Sequence, residues 1–393
     1  MVGSPATAFP ETSYTQQEVG EILHIKDPVT WKLLKAPHIQ KRHLYLPKVT
    51  ESKRQPTASE RNQTFMMGLE DIGFKAVNAA LANNSMDASQ IDLLATVTST
   101  GLALPGVSGI LMRKIGFRND CQRMDIVGMG CNGGLSGLRN VATSLGHLAT
   151  IRGMTQTAML LCCEVNSSYF VNRDTTGDGV VNSLFGDGAV ALVLSASPMG
   201  AGVSALPSPA GAAKEATGPV MEKTSAPPKM SVVDFESLTI PEYFEDMKYN
   251  MDEYSQLPHF TLSKRIPQAV GSSVEIPVRK LLDRHGLSPS DISQWVVHGG
   301  GKAVMQLVAK GLGLDHDHDL RHTVSVIRDY GNISSGSFLV SLNRLMEEAQ
   351  KDMSIMHEGD LVVLIAMGPG ATIEAALGVV TGAAQIKEMA CSA

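Results

Sequence analysis

Charge of one dominant sign is the first thing this sequence lacks. Its 33 Lys and Arg residues stand against 39 Asp and Glu, a net charge of −6, so the balance offers a nucleic-acid partner no electrostatic support. Paired cysteines are missing too. Five cysteines, Cys121, Cys131, Cys162, Cys163 and Cys391, are odd in number and show no C-x-x-C spacing, which argues against a disulfide framework and a zinc site and for a reducing, cytoplasmic setting. No basic stretch followed by an apolar one opens the chain, so no secretory signal is visible. The one passage that resembles a membrane span, residues 361–384, is interrupted by Gly368-Pro369-Gly370 and carries Glu374. Two short elements around a tight turn are expected there, with no membrane partner. No nucleotide-type phosphate-binding loop occurs.

What is present is enough apolar material for two cores: 393 residues, 43% hydrophobic and 18% charged, a composition that folds compactly. Laid on itself at an offset of 201 residues, segment 80–91 falls without gaps on 281–292, and Cys131 falls on Asn332. Both copies read helix, polar turn, buried strand (93–97 and 295–297). Strand-like runs at 124–127 and 324–327 each precede a Gly-rich corner and a helix, starting near Asn132 and near Ile333. A looser echo pairs 189–194 with 361–366. Repeated strand-helix-strand units imply an α/β fold, its duplicated halves stacked as α-β-α-β-α layers. The division is drawn between an N-terminal half, 1–235, and a C-terminal half, 236–393, with a Pro/Ala-rich surface insertion at about 197–230.

Three residues stand at corners where chemistry is favoured. Cys131, in Gly128-Met129-Gly130-Cys131-Asn132-Gly133-Gly134, precedes a helix whose N-terminal dipole favours a thiolate; a small buried Cys packed under a helix is the plainer alternative. His298 ends a buried strand and is followed by Gly299-Gly300-Gly301, a strand end of the kind where α/β sites gather. By itself, a histidine among eleven is by default a surface or core residue. Asn332, in Tyr330-Gly331-Asn332-Ile333, reads equally as a helix N-cap; its equivalence to Cys131 argues for more. A nucleophile to carry an acyl chain and two donors for a thioester oxygen that becomes an enolate are what a decarboxylating condensation requires. Two metal-like passages fail. The EF-hand-like run from Asp174 has Phe185 where a bidentate Glu is needed, and Asp315-His316-Asp317-His318-Asp319 has no spaced partner to complete a site.

Gly130-Cys131, Leu184-Phe185-Gly186-Asp187-Gly188, Val297-His298-Gly299-Gly300, Tyr330-Gly331-Asn332 and Met367-Gly368-Pro369-Gly370 together resemble the chalcone-synthase-like type III polyketide synthases over nearly the whole chain. The resemblance implies a thiolase-like fold, a Cys131-His298-Asn332 triad, Phe185 as gatekeeper, and a homodimer with the loop around Leu104 near the partner's site. It also implies coenzyme A thioesters as substrates, malonyl-CoA among them, and no cofactor. Within the family the wording around Cys131, Phe185 and Asn332 is most similar to the bacterial branch that joins four malonyl units into 3,5-dihydroxyphenylacetyl-CoA. Other products of the resorcinol, pyrone or naphthalene type, a ketoacyl-synthase-like enzyme using a carrier protein, and a silent scaffold homologue are the alternatives. Two departures stand out: the insertion at 197–230 is longer than the family's, and Ala366-Met367 replaces the family's usual Gly-Phe, placing a softer side chain at the cavity. The cationic CoA-binding stretch is present only in part, as Lys32 and Lys35, which read equally as exposed helix charges.

Overall fold

The computed structural model describes residues 1–46, 55–171, 175–198, 229–253 and 257–381; most of the expected insertion lies outside them. Two sheets form the frame. In the N-terminal sheet, strand Leu93–Thr98 runs parallel to Gln122–Val127 on one side and to Gln156–Glu164 on the other. Gly188–Ala196 and then Ala6–Ala8 add antiparallel. In the C-terminal sheet, Gln294–Val297 runs parallel to Leu361–Gly368, followed by antiparallel Thr372–Thr381 and Lys229–Thr239. The described part of that apolar run, 361–381, is thus a pair of strands around Pro369-Gly370, and no helix among the described residues is long and apolar enough to cross a membrane.

Alternation along the strands builds the layers. Leu93, Ala95 and Val97 point into a central core with Leu135, Leu138, Val141 and Leu145 of helix Gly133–Arg152 and Phe338, Leu342 and Leu345 of helix Ser337–Lys351. Leu94 points the other way, into an outer core beneath helices Ala58–Gly68 and Phe74–Asn83. The C-terminal sheet repeats the scheme: Val296, Val362 and Leu364 face the central helices, while Trp295, Val363 and Ile365 face helices Ile266–Ser273, Glu275–Asp283 and Lys302–Leu312. The α-β-α-β-α stack follows, with two helices buried between the sheets because each carries apolar residues at helical spacing.

The starts of those two central helices meet. A Cβ built on Gly134 would lie 2.1 Å from the Ser335 carbonyl oxygen, so the contact exists only because that residue has no side chain. Two buried carboxyls tie the seam. Ser335 Oγ donates to Glu164 at 2.6 Å, and Ser136 Oγ and Arg139 donate to Glu374, each at 2.8 Å.

Three sequence expectations change. Residues 324–327, expected as a strand, lie in helix Arg321–Tyr330, where Thr323, Val326 and Ile327 are buried; that i, i+3, i+4 set outweighs the β-branched run. The echo between 189–194 and 361–366 is displaced by one strand. Leu361–Gly368 lies parallel beside Gln294–Val297 as Gln156–Glu164 lies beside Leu93–Thr98, so the counterpart of Gly188–Ala196 is Thr372–Thr381. Strand Lys229–Thr239, finally, pairs with the C-terminal sheet, and a division at 235/236 cuts through it.

Candidate active site

Each residue of the site sits at a corner that opens a helix, reached from a strand for Cys131 and His298 and from a helix for Asn332. Strand Gln122–Val127 turns at Gly128 and Gly130, whose φ angles of 78° and 63° suit glycine. Cys131 then sits in the 3₁₀ turn Gly130–Asn132 that opens helix Gly133–Arg152. The C-terminal half closes over this corner, since a Cβ on Gly130 would lie 2.4 Å from the Pro369 ring and one on Gly368 2.1 Å from Asn132 Oδ1. Cys131 is 3% exposed.

Asn332 occupies the matching corner, after Gly331 at φ 70°. Its N–H donates to Leu184 O and its carbonyl accepts from Gly186 N, both at 2.9 Å, forming a parallel bridge with Phe185. Asn332 Oδ1 accepts from Ser334 N at 2.8 Å and Ser337 Oγ at 3.3 Å, and this aims Nδ2 at Cys131 Sγ, 3.9 Å away. Capping and facing the sulfur are therefore done by opposite ends of one amide.

His298 follows strand Gln294–Val297, with its N–H donating to Ile365 O at 2.8 Å. It is 1% exposed, and Nδ1 has no partner among the described residues. Cys131, His298 and Asn332 line one cavity of about 200 Å³ together with Phe185, Met367 and Lys264. A second cavity of about 370 Å³ adjoins it at Cys131, Phe185, Met247 and Phe260 and extends past Tyr169 and Tyr249.

Burial dominates the electrostatics. It pushes the Cys131 thiol up to about 11, with the nearby Glu164 adding to the rise and hydrogen bonds from Ser334 and Asn332 opposing it. Burial likewise pushes the His298 imidazole down to about 4. The helix entrance alone does not make this thiol easy to ionise, contrary to the expectation from sequence. At neutral pH a thiolate here requires its proton to pass to a group in the same cavity, so that the two new charges offset one another's desolvation.

Phe185 is 8% exposed and meets Phe260 edge to face, centroids 6.0 Å apart. Phe260 was not singled out from sequence, because Pro258-His259-Phe260-Thr261 carries no motif. Arg42 was missed as well. It is fully buried, donates from Nη1 to Phe185 O at 2.6 Å and from Nε to Gln16, and burial lowers its guanidinium to about 9 against the pull of Asp187. Its signal was slight, a lone Arg in a three-residue strand, Lys41–His43.

The remaining candidates lie outside these cavities. Leu104 is fully exposed, in a loop beyond both cavity linings of its own chain. Lys32 and Lys35 flank Trp31 on and just after helix Pro28–Leu34 and line a separate surface groove with Lys26. Among the described residues no three His, Cys, Asp or Glu side chains gather as a metal site.

The family models for the chalcone and stilbene synthases match this chain twice, the N-terminal domain over residues 11–198 and the C-terminal domain over 239–381. The chain belongs to that family, the type III polyketide synthases. It is accordingly an acyltransferase of thiolase-like fold. The 3,5-dihydroxyphenylacetyl-CoA synthase of Streptomyces toyocaensis is 40% identical over 94% of this chain and 87% of its own length; that of Amycolatopsis balhimycina is 37% identical over 94% and 90%. Among solved structures, the 1,3,6,8-tetrahydroxynaphthalene synthase of Streptomyces coelicolor A3(2) matches with a TM-score of 0.80 at 23% identity, covering 97% of this type III synthase and 99% of its own chain. CsyB complexed with CoA-SH matches at 0.79 and 26%, over 96% and 99%.

Proposed function

We propose that this chain condenses malonyl-CoA units on Cys131 and closes the chain to 3,5-dihydroxyphenylacetyl-CoA, the product named for its curated relatives. The observation that carries the reading is the convergence of a buried thiol, an imidazole and an oriented carboxamide on one cavity. Cys131 passes its proton to His298, attacks the malonyl thioester carbonyl and expels coenzyme A, which takes a proton. A second malonyl-CoA then loses carbon dioxide. The electron pair left by the broken C–C bond moves onto the thioester oxygen, where His298 and Asn332 donate hydrogen bonds, and the enolate carbon attacks the acyl-Cys131 carbonyl, releasing the thiolate. Removing one such donor costs roughly 3–4 kcal/mol at comparable sites.

The two cavities divide the work. The smaller, with His298, Gly300 and Lys264, takes the pantetheine arm, and the larger, lined by Phe185, Phe260 and Tyr169, takes the growing chain. Phe185 and Phe260 stand between them as gate residues, and Met367 shapes the wall beside the sulfur. Lys32 and Lys35, from their surface groove, attract the coenzyme phosphates. The enzyme works in the cytoplasm as a homodimer, without a cofactor, and the full exposure of Leu104 supports a partner covering that loop.

Purified enzyme incubated with malonyl-CoA alone, its products read by mass spectrometry, tests this. An aromatic coenzyme A ester is expected. A resorcinol, pyrone or naphthalene product would replace the assigned ring, and dependence on a carrier protein would end the malonyl-CoA reading.

A further inference from the structure

Among the polar side chains that line the larger cavity, Asn182 carries a buried atom that has no partner among the described residues and that the chemistry so far leaves unused. Helix Thr176–Leu184 and the residue after it present Asp178, Val181, Asn182 and Phe185 along one face, and all four line that cavity. Asn182 is 1% exposed. Its Nδ2 donates to Val171 O at 2.7 Å, which settles which end of the amide is oxygen. Oδ1 is buried and has no hydrogen-bond partner among the described residues. Asn166, the other carboxamide lining the cavity, donates to Gly186 O at 2.6 Å. A buried carbonyl left open while its own amide nitrogen is engaged points to a donor supplied from outside the chain.

The chemistry of the substrate says which donor. The acyl part of a malonyl thioester carries a carbonyl and a carboxylate, both acceptors at neutral pH, so Asn182 Oδ1 has nothing to receive from a loaded starter. The amide N–H groups of the pantetheine arm belong to the other cavity. Donors arise in the acyl chain only as it lengthens. Each methylene between two carbonyls can give a proton to one of them, and the enol so formed carries an O–H.

We infer that Asn182 Oδ1 accepts the hydroxyl hydrogen of an enolised β-dicarbonyl in the elongated chain and holds the chain in the fold from which the ring closes. This rests on the function proposed above. It makes Asn182 a specificity-determining residue for the last stage of the reaction, distinct from the groups that load and extend. The residue lies one helical turn before Phe185, so the chain is gripped just inside the gate.

The test is the share of aromatic product per coenzyme A released from malonyl-CoA, measured by mass spectrometry and thiol titration on purified wild-type, Asn182→Leu and Asn182→Asp proteins. Leu has a similar shape and no acceptor. A buried Asp keeps its proton, donates it to Val171 O and leaves a carbonyl oxygen where Oδ1 was. The aromatic share should fall about tenfold or more in Asn182→Leu, with uncyclised or lactone products in its place, and stay within about threefold of wild type in Asn182→Asp. Equal shares in Asn182→Leu and wild type overturn the inference, as does an equal fall in both variants. Loss of coenzyme A release in both variants also overturns it, because Asn182 would then serve a step before ring closure. If the wild-type enzyme itself forms no aromatic product from malonyl-CoA, the function proposed above fails first, and the two failures are told apart.

Discussion

Gly134→Ala is the sharpest perturbation the fold offers. The new Cβ would stand 2.1 Å from Ser335 O and 2.9 Å from the Phe338 ring, whereas a carbon meets a carbonyl oxygen comfortably at about 3.3 Å, so the two helix starts must part by roughly 1 Å. Gly134 lies just past Cys131, and Ser335 just past Asn332. That movement is therefore delivered to the 3.9 Å contact between Asn332 Nδ2 and Cys131 Sγ. Overpacking of this kind destabilises by about 1–3 kcal/mol, and a 1 Å misplacement at a reaction centre lowers turnover by about 10²-fold. Urea unfolding and coenzyme A release from malonyl-CoA measure the two effects. Gly146→Ala is the control, on the same helix with nothing within 4 Å of its Cβ; it should stabilise by about 0.5–1 kcal/mol and keep its activity. If Gly134→Ala and Gly146→Ala behaved alike, the idea that the seam sets the catalytic geometry would be refuted.

Further expectations concern the cavity groups and the exposed loop. His298→Gln and Asn332→Ala should each slow malonyl-CoA decarboxylation by about 10²–10³-fold, and Asn332→Ala should slow acyl loading on Cys131 less, as followed by intact-protein mass; decarboxylation at the wild-type rate in either variant would remove that residue from the oxyanion role. Because burial raises the Cys131 thiol to about 11, its reactive thiolate grows as pH rises toward that value. Iodoacetamide should therefore alkylate Cys131 in His298→Gln only at alkaline pH, while the wild type keeps a neutral-pH reaction through proton transfer to the imidazole. Superimposable pH profiles would exclude that transfer. Leu104→Arg should shift the sedimentation of the protein from dimer to monomer, and an intact, fully active dimer would show that the loop faces no partner.

Much of this site could be read from the sequence because its three polar residues sit at corners ahead of helices, Cys131 and His298 after strands and Asn332 after a helix, each marked by neighbouring glycines. Gly130 and Gly331, matched by the repeat, both take positive φ, and that shared need is what made Cys131 and Asn332 visible as equivalents. Legibility failed where packing overrode local pattern. Val324, Val326 and Ile327 suit a strand, yet the helix they form lays Val326 on the central core and Ile327 on the core that Trp295, Val363 and Ile365 form beyond the C-terminal sheet, a demand that only the assembled layers impose. Phe260 and Arg42 gain their importance from Phe185, far away in sequence, and local composition carries no trace of such a partner. The state of the thiol is hidden for a related reason: a helix start is visible in the sequence, but the depth of burial that raises the thiol is not.

The butt joint at Gly134 and Ser335 has one more consequence. Two identical half-sized proteins pairing through such a joint would carry the same residue at both corners, and any change at one would appear at the other. Joining the halves in one chain makes their encounter intramolecular, at a high effective concentration, and lets the corners diverge. Sulfur could then remain on one side while an amide took the other.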